Sequence, residues 1–226
     1  MNLTLDIGNT AVKWSTFEGR ELKDCGWGMP NEWLGKVDHT LACASGKLPE
    51  GIDVKRLTAD SPLPIQLDYK TPETLGADRI ADACGAISLH PGEDCLIIDA
   101  GTCITVDFID AKGVYHGGAI MPGLKMSLQA LHSFTAKLPL IDFEEVEKAP
   151  VLGRSTEESI LAGTLGATLL ALAGYVTLYK EKAPNLQVLI TGGNAKQLMA
   201  LGTNGWEHVP HLTLIGLNEI LIHDEK

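Results

Sequence analysis

An apolar run that ends on an acid, turns through a glycine and leaves as an alternating strand occurs twice in this chain, and that pattern restricts the possible folds more than any other feature. The clearer copy is Cys95 to Asp110, C-L-I-I-D-A-G-T-C-I-T-V-D-F-I-D, which reads as a β-hairpin with Asp99 at the bend. Leu3 to Phe17, L-T-L-D-I-G-N-T-A-V-K-W-S-T-F, repeats it, with Asp6, Gly8 and Thr10 where Asp99, Gly101 and Thr102 or Thr105 stand later. Two copies point to duplication. A carboxylate at a strand end can hold Mg²⁺ or its waters, a glycine lets backbone N–H groups approach a ligand, and a threonine hydroxyl adds a donor for phosphate oxygen. One such hairpin is weak grounds, because Asx-glycine turns are common. A pair, one per lobe, would clamp a nucleoside triphosphate.

The chain has 226 residues, enough for two lobes that each bury a core. A hydrophobic fraction of 45% with positive mean hydropathy fits a folded enzyme, and a net charge of −11 argues against broad binding to nucleic acid or anionic membranes. The five cysteines show no C-x-x-C spacing and sit mostly in apolar runs, as expected in a reducing cytoplasm. No secretory signal pattern opens the chain, since Asp6 already lies in the first strand. The longest apolar stretch, Ile160 to Ala173, is interrupted by glycine and threonine and is shorter than the roughly 20 residues a bilayer requires. It reads as a buried helix or a subunit contact.

Along the chain, Leu3–Ile7 and Val12–Phe17 form the first hairpin, followed by a strand near Lys23–Gly28, a short helix at Asn31–Gly35 and a buried strand at His39–Ala44. Gly46 to Pro64 is dense in turn formers and receives no element. Ile65–Tyr69 reads as a strand. Ile80, Ala83, Cys84 and Ile87 recur at helical spacing, which puts Gly76, Ala77, Asp78 and Arg79 at a helix start. There Asp78 suits the helix dipole, whereas Arg79 opposes it and hints at an anionic partner. His90–Gly92 marks a boundary between lobes 1–90 and 91–226. The second lobe adds a strand at Val114–Ile120, a helix at Lys125–Phe134, and a surface excursion from Ala136 to Gly153. Ser155 and Glu158 have capping-box spacing ahead of a long helix in which Gly163 and Gly166 permit close helix approach. A strand at Leu186–Thr191, a helix at Ala195–Leu201, a strand near His211–Ile215 and a helix at Asn218–His223 complete the chain.

Neither G-x-x-x-x-G-K-[ST] nor G-x-G-x-x-G is present, so a P-loop or Rossmann site has no support. Lys13 fits either a point charge for a transferring phosphate or a solvated lysine on the polar face of its strand. Gly192–Asn194 either borders a nucleoside or merely ends a strand. Cys103 follows Thr102 in an apolar strand and reads as core. Pro210, between His208 and His211, spoils helical ligand geometry, so no metal site is assigned there.

D-I-G-N-T-A-V-K (Asp6–Lys13), G-A-D-R (Gly76–Arg79), D-A-G-T-C-I-T-V-D (Asp99–Asp107), G-G-A-I-M-P-G (Gly117–Gly123), S-T-E-E-S-I-L-A-G (Ser155–Gly163) and L-I-T-G-G-N (Leu189–Asn194) occur in the order and spacing of the type III pantothenate kinases. The chain resembles that family over most of its length. It departs at Cys103, where alanine is common, and is short, as though helices of the first lobe were trimmed. The resemblance implies an α/β chain with two ribonuclease H-like lobes, the duplicated actin-like ATPase fold, around a central nucleotide cleft. It implies phosphorylation of the primary hydroxyl of pantothenate by ATP, the first step towards coenzyme A. By matching positions, Asp6, Ile7, Gly8, Asn9, Thr10, Ala11, Val12 and Lys13 form the first phosphate loop, with Asp6 placing Mg²⁺ through water. Thr102 touches ATP phosphate, and Asp99 binds a monovalent cation, K⁺ or NH₄⁺. Tyr69, Gly76, Ala77, Asp78 and Arg79 hold pantothenate, with Asp78 the catalytic proton acceptor. Thr156 reaches pantothenate from the neighbouring subunit, which implies a homodimer with shared sites. Arg79 has either the pantothenate carboxylate or an internal acid, Asp82 or Asp78, as its partner. Two other readings belong to different classes: a kinase for another small hydroxyl acceptor such as a sugar, and a non-catalytic ATP-binding regulator.

Overall fold

The computed structural model describes residues 1–44, 46, 54–144, 146–203 and 205–225. The chain divides into two compact units, one made of Met1–Cys95, Asp107–Gly117 and His211–Lys226, the other of Leu96–Val106 and Gly118–Pro210. The sequence reading cuts the chain once, after residue 90. The units interleave along the chain instead, because both Asp107–Gly117 and the C-terminal segment return to the first.

In the first unit, β1 (Asn2–Ile7), β2 (Val12–Glu18), β3 (Glu21–Trp27), β4 (His39–Ala44) and β5 (Lys55–Arg56) form a sheet of order β3-β2-β1-β4-β5. β1 pairs antiparallel with β2 and parallel with β4, so it is central. Leu3, Leu5 and Ile7 are buried with Trp14 and Ala42. Gly26 on β3 makes room for this packing, since a Cβ there would lie 2.6 Å from the Trp14 ring. The expected helix at Asn31–Gly35 is a set of turns, in which the N–H of Leu34 donates to the Pro30 carbonyl and Gly35, at φ +74°, ends the turn. Of the expected strand at Ile65–Tyr69, only Gln66–Leu67 (β6) forms, paired with β9. Of the stretch left unassigned between Gly46 and Pro64, residues 47–53 lie outside the described residues, and Lys55–Arg56 forms the short edge strand β5.

α1 (Ala77–Leu89) packs against α6 (Leu212–Asp224), which also covers β1. At their crossing, a Cβ on Gly216 would stand 1.7 Å from the Ala81 carbonyl oxygen, so glycine is what allows the approach. Polar bonds fix α6. The Thr213 hydroxyl donates to Asp82 at 2.7 Å, the Asn2 amide to Asn218 at 3.0 Å, and Arg20 grips Glu219 through two bonds of 2.7 and 2.8 Å. The sequence reading splits this segment into a strand at His211–Ile215 and a short helix. It is one helix, and the strand (β11) lies earlier, at Glu207–His208.

β7 (Cys95–Ala100) and β8 (Cys103–Ile109) are neighbours in a sheet of order β11-β10-β7-β8-β9-β6, where β9 is Val114–Pro122 and β10 is Gln187–Thr191, and most of its residues belong to the second unit. Helices α2 (Leu124–Ser133), α3 (Thr156–Leu161), α4 (Ala167–Lys180) and α5 (Ala195–Ala200) complete it. A π-helical turn at Ala162–Gly166 joins α3 to α4 into one helix of 25 residues, Thr156–Lys180. By length and composition alone that helix could cross a membrane, and it is longer than the interrupted run noted in the sequence. Half of the capping box forms: the Glu158 N–H donates to the Ser155 hydroxyl at 3.1 Å, while the Glu158 carboxylate reaches one residue past the N-cap and accepts from the Arg154 N–H at 2.6 Å. Gly166 is approached by the Pro150 carbonyl rather than by a second helix, and a Cβ on Gly163 would meet nothing within 4 Å.

Candidate active site

Strand register assembles the first half of the site. Asp6 on β1 pairs with Lys13 on β2 and with Cys43 on β4, and Lys13 pairs with Trp27 on β3. Directly opposed residues point to the same face of a sheet, so Trp27, Lys13, Asp6 and Cys43 form one row across four strands. The side chains engage one another. Lys13 Nζ lies 3.6 Å from Asp6 Oδ2 and 5.5 Å from the centre of the Trp27 ring, and the Cys43 thiol donates to Asp6 Oδ1 at 3.4 Å. Burial raises the Asp6 pKa against the pull of Lys13 and Cys43, and the negative charge of Asp78 adds to the rise. Burial and the Asp6 charge likewise push the Cys43 thiol up, which keeps it a donor. Lys13 is therefore ion-paired with Asp6 rather than simply solvated on its strand. The bend itself is tight: the Gly8 N–H donates to the Ala11 carbonyl at 3.0 Å, and a Cβ on Gly46 would come within 2.5 Å of the Gly8 carbonyl oxygen. Asn9 and Thr10 are exposed at its tip.

The G-A-D-R stretch forms the first turn of α1, with Gly76 at the N-cap position. Asp78 folds back over that glycine: its Oδ1 accepts the Arg79 N–H at 2.9 Å and would lie 2.5 Å from a Gly76 Cβ. An alanine there would displace the carboxylate. The Arg79 side chain reaches an acid far along the chain, Asp107. Its Nε donates to Asp107 at 3.0 and 3.1 Å and its Nη2 to Asp107 Oδ1 at 2.5 Å, while the Tyr115 hydroxyl donates to the same oxygen at 2.6 Å. Arg79, Asp107 and Tyr115 are all buried. Burial alone would lower the Arg79 pKa, but the hydrogen bonds and charge of Asp107 outweigh it and the net shift is upward. A hydrogen bond to Tyr69 adds to this. The Tyr69 ring is 6.1 Å from that of Tyr115 and lies over Gly117, whose φ of +84° and absent side chain admit it.

Three glycine turns meet in the second unit. At the D-A-G-T bend the Gly101 N–H donates to the Cys103 carbonyl at 3.0 Å, and the Gly123 N–H donates to the Thr102 carbonyl at 3.2 Å. A Cβ on Gly123 would come within 2.3 Å of the Thr102 oxygen, and one on Gly192, at φ +90°, within 2.3 Å of Asp99 Oδ1. The Asn194 N–H donates to the Ala100 carbonyl at 2.9 Å. The T-G-G-N turn thus abuts the Asp99 bend rather than merely ending a strand. Cys103 is exposed, because as the first residue of β8 it points away from the side that buries Ile104. Thr156 opens α3 and lines a cavity of about 770 Å³ with Arg154, Ser155, Ser159, Leu131 and Leu138.

Asp6, Lys13, Tyr69, Gly76, Ala77, Asp78 and Arg79 thus lie in the first unit, and Asp99, Thr102 and Thr156 in the second. Missed from the sequence were Cys43, Trp27, Asp107 and Tyr115, together with the packing roles of Gly123 and Gly192. One signal was available: an acid at Asp107 inside an apolar alternating strand requires a partner.

Two α/β units, each with an acid–glycine bend between a sheet's strands, define the architecture of the actin-like ATPases and their kinase relatives. Solved structures show the same fold. A Baf family protein from Campylobacter jejuni matches at TM-score 0.67 and 21% identity, covering 99% of this chain and 98% of that one. The activator of the 2-hydroxyisocaproyl-CoA dehydratase from Clostridium difficile matches at TM-score 0.53 and 14% identity, covering 99% and 94%. The family model for type III pantothenate kinase matches residues 34–177. A type III pantothenate kinase of Phocaeicola vulgatus is 37% identical over 246 aligned positions spanning 100% of both chains. The chain belongs to the type III pantothenate kinase family.

Proposed function

We infer that this protein transfers the γ-phosphoryl group of ATP to the primary hydroxyl of pantothenate, giving 4′-phosphopantothenate, the first step of coenzyme A biosynthesis. The observation that carries this reading is the Asp6–Lys13 pair, 3.6 Å apart beside the first bend, in the same unit as the helix start that bears Asp78. A phosphate loop beside a second acid at a helix start is what an alcohol-accepting kinase needs.

In a loose phosphoryl-transfer transition state, alignment and charge stabilisation supply most of the acceleration. Lys13 releases Asp6 to meet the transferring phosphate, and the backbone of Gly8 to Val12 cradles the polyphosphate. Asp6 suits Mg²⁺: it is a mostly buried carboxylate whose present counter-charge is a single ammonium at 3.6 Å. The metal supplies charge neutralisation of the phosphate oxygens. Thr102 contacts phosphate. Asp99, held against the Gly192 turn, suits a monovalent cation, K⁺ or NH₄⁺. Asp78 accepts the hydroxyl proton or aligns that hydroxyl with phosphorus, and Tyr69, Gly76, Ala77 and Arg79 hold the rest of pantothenate. The protein works in the cytoplasm as a homodimer, with Thr156 serving the neighbouring subunit's substrate.

In a coupled assay with ATP, Mg²⁺ and K⁺, pantothenate-dependent ADP release is expected, falling about 10²- to 10⁴-fold in Asp78→Asn. No release from correctly folded protein would refute the assignment. For the shared site, mixing Asp78→Asn with an inactive Thr156 variant should restore activity through hybrid dimers; a mixture as silent as its components counts against it.

A further inference from the structure

We propose that Asp107 and Tyr115 are positioning residues that lock the Arg79 guanidinium, so that its other edge selects a carboxylate on the acceptor substrate. This rests on the reading of Arg79 as a pantothenate contact. A guanidinium has two edges with paired donors, the side edge (Nε, Nη2) and the end edge (Nη1, Nη2). Asp107 takes the side edge with three bonds of 2.5 to 3.1 Å. Asp107 is itself held by the Tyr115 hydroxyl at 2.6 Å and is 1% exposed. With the side edge committed to Asp107, a ligand carboxylate would pair with the end edge.

Two consequences follow from this arrangement. The pair is electrically balanced, so an anion is recognised by fork geometry rather than by an unmatched charge. The guanidinium is also immobilised before binding, so a ligand carboxylate does not have to order a long side chain. Loosening the lock should therefore weaken discrimination between an acid and a neutral analogue, more than it weakens catalysis.

The test compares pantothenate with pantothenol, which carries a hydroxyl in place of the carboxylate, using wild type, Tyr115→Phe and Asp107→Asn. Tyr115→Phe deletes one hydrogen bond and nothing else, so it remains informative if Asp107→Asn fails to fold. The expected result is a fall in the pantothenate-over-pantothenol ratio of kcat/KM of about 2- to 10-fold in Tyr115→Phe and about 10-fold or more in Asp107→Asn. The loss should lie in KM for pantothenate, with KM for ATP unchanged. A purely structural role would instead lower thermal stability or both substrates in parallel, leaving the ratio intact, and that outcome overturns the proposal while pantothenate kinase activity stands. A wild-type protein without pantothenate activity overturns the functional reading itself.

Discussion

Replacing Gly216 by alanine tests how the substrate-binding end of α1 is held. The added Cβ would lie 1.7 Å from the Ala81 carbonyl oxygen and 2.9 Å from the Gly85 backbone nitrogen. Since Cβ atoms do not approach within 3.0 Å of such atoms, α1 and α6 must part by about 1.3 Å at the crossing. The obstacle is backbone on both helices, so no side-chain rotation relieves it. Overpacking of this kind costs about 3 kcal/mol at the upper end of the usual range. Alanine regains about 1 kcal/mol of helix propensity, leaving a net loss of roughly 2 kcal/mol, or about 4–8 °C in Tm for a chain of this size. Asp78 and Arg79 lie within one helical turn of Ala81, so KM for pantothenate should rise while KM for ATP holds. Gly174 on α4 provides the control: a Cβ there meets nothing within 4 Å, and Gly174→Ala should be neutral or stabilising. Denaturant titration and a thermal melt read both variants. A Gly216→Ala protein as stable as wild type, with unchanged KM values, would mean the close approach of the helices is not what fixes the G-A-D-R end.

Two further substitutions probe the bends. Burial holds the Asp6 pKa above its ordinary 3.8, so the folded state takes up this proton more readily than the unfolded one, and stability from this group is lost as pH rises through the folded value. Asp6→Asn should therefore abolish turnover yet melt higher than wild type at neutral pH without ligand, the gap closing as pH falls towards the carboxylate range. A variant less stable at every pH would show that the Lys13 and Cys43 bonds outweigh burial. For Gly123→Ala, whose Cβ would sit 2.3 Å from the Thr102 carbonyl oxygen, the D-A-G-T bend must shift. KM for ATP is expected to rise about tenfold, which is roughly 1.4 kcal/mol of lost positioning, with KM for pantothenate within about twofold; an unchanged KM for ATP would remove Thr102 from the nucleotide site.

How far the sequence could be read depended on the distance over which each feature is encoded. The two hairpins and the start of α1 were legible because a terminal acid, a glycine turn and helical spacing are local. The C-terminal segment was not, since Leu212 to Leu221 is buried on nearly every side, Thr213, Asn218 and Glu219 included, and a helix buried all round loses the periodicity that separates it from a strand. Cys43 was invisible as a partner of Asp6, because only the parallel register of β1 with β4 brings together residues 37 apart. Arg79 shows the same limit. Its discomfort at a helix N-terminus was readable, and so was the need for an anion, but the sequence offered only nearby acids as internal candidates. The acid that answers it lies 28 residues on. Two mismatches were on the page from the start: a cation at the wrong end of a helix, and an acid buried in the strand I-T-V-D-F-I. Each is costly alone, and each removes the other's cost. In a chain with a net charge of −11, most acids can reach water. One that cannot is the place to look for the arginine that needs it.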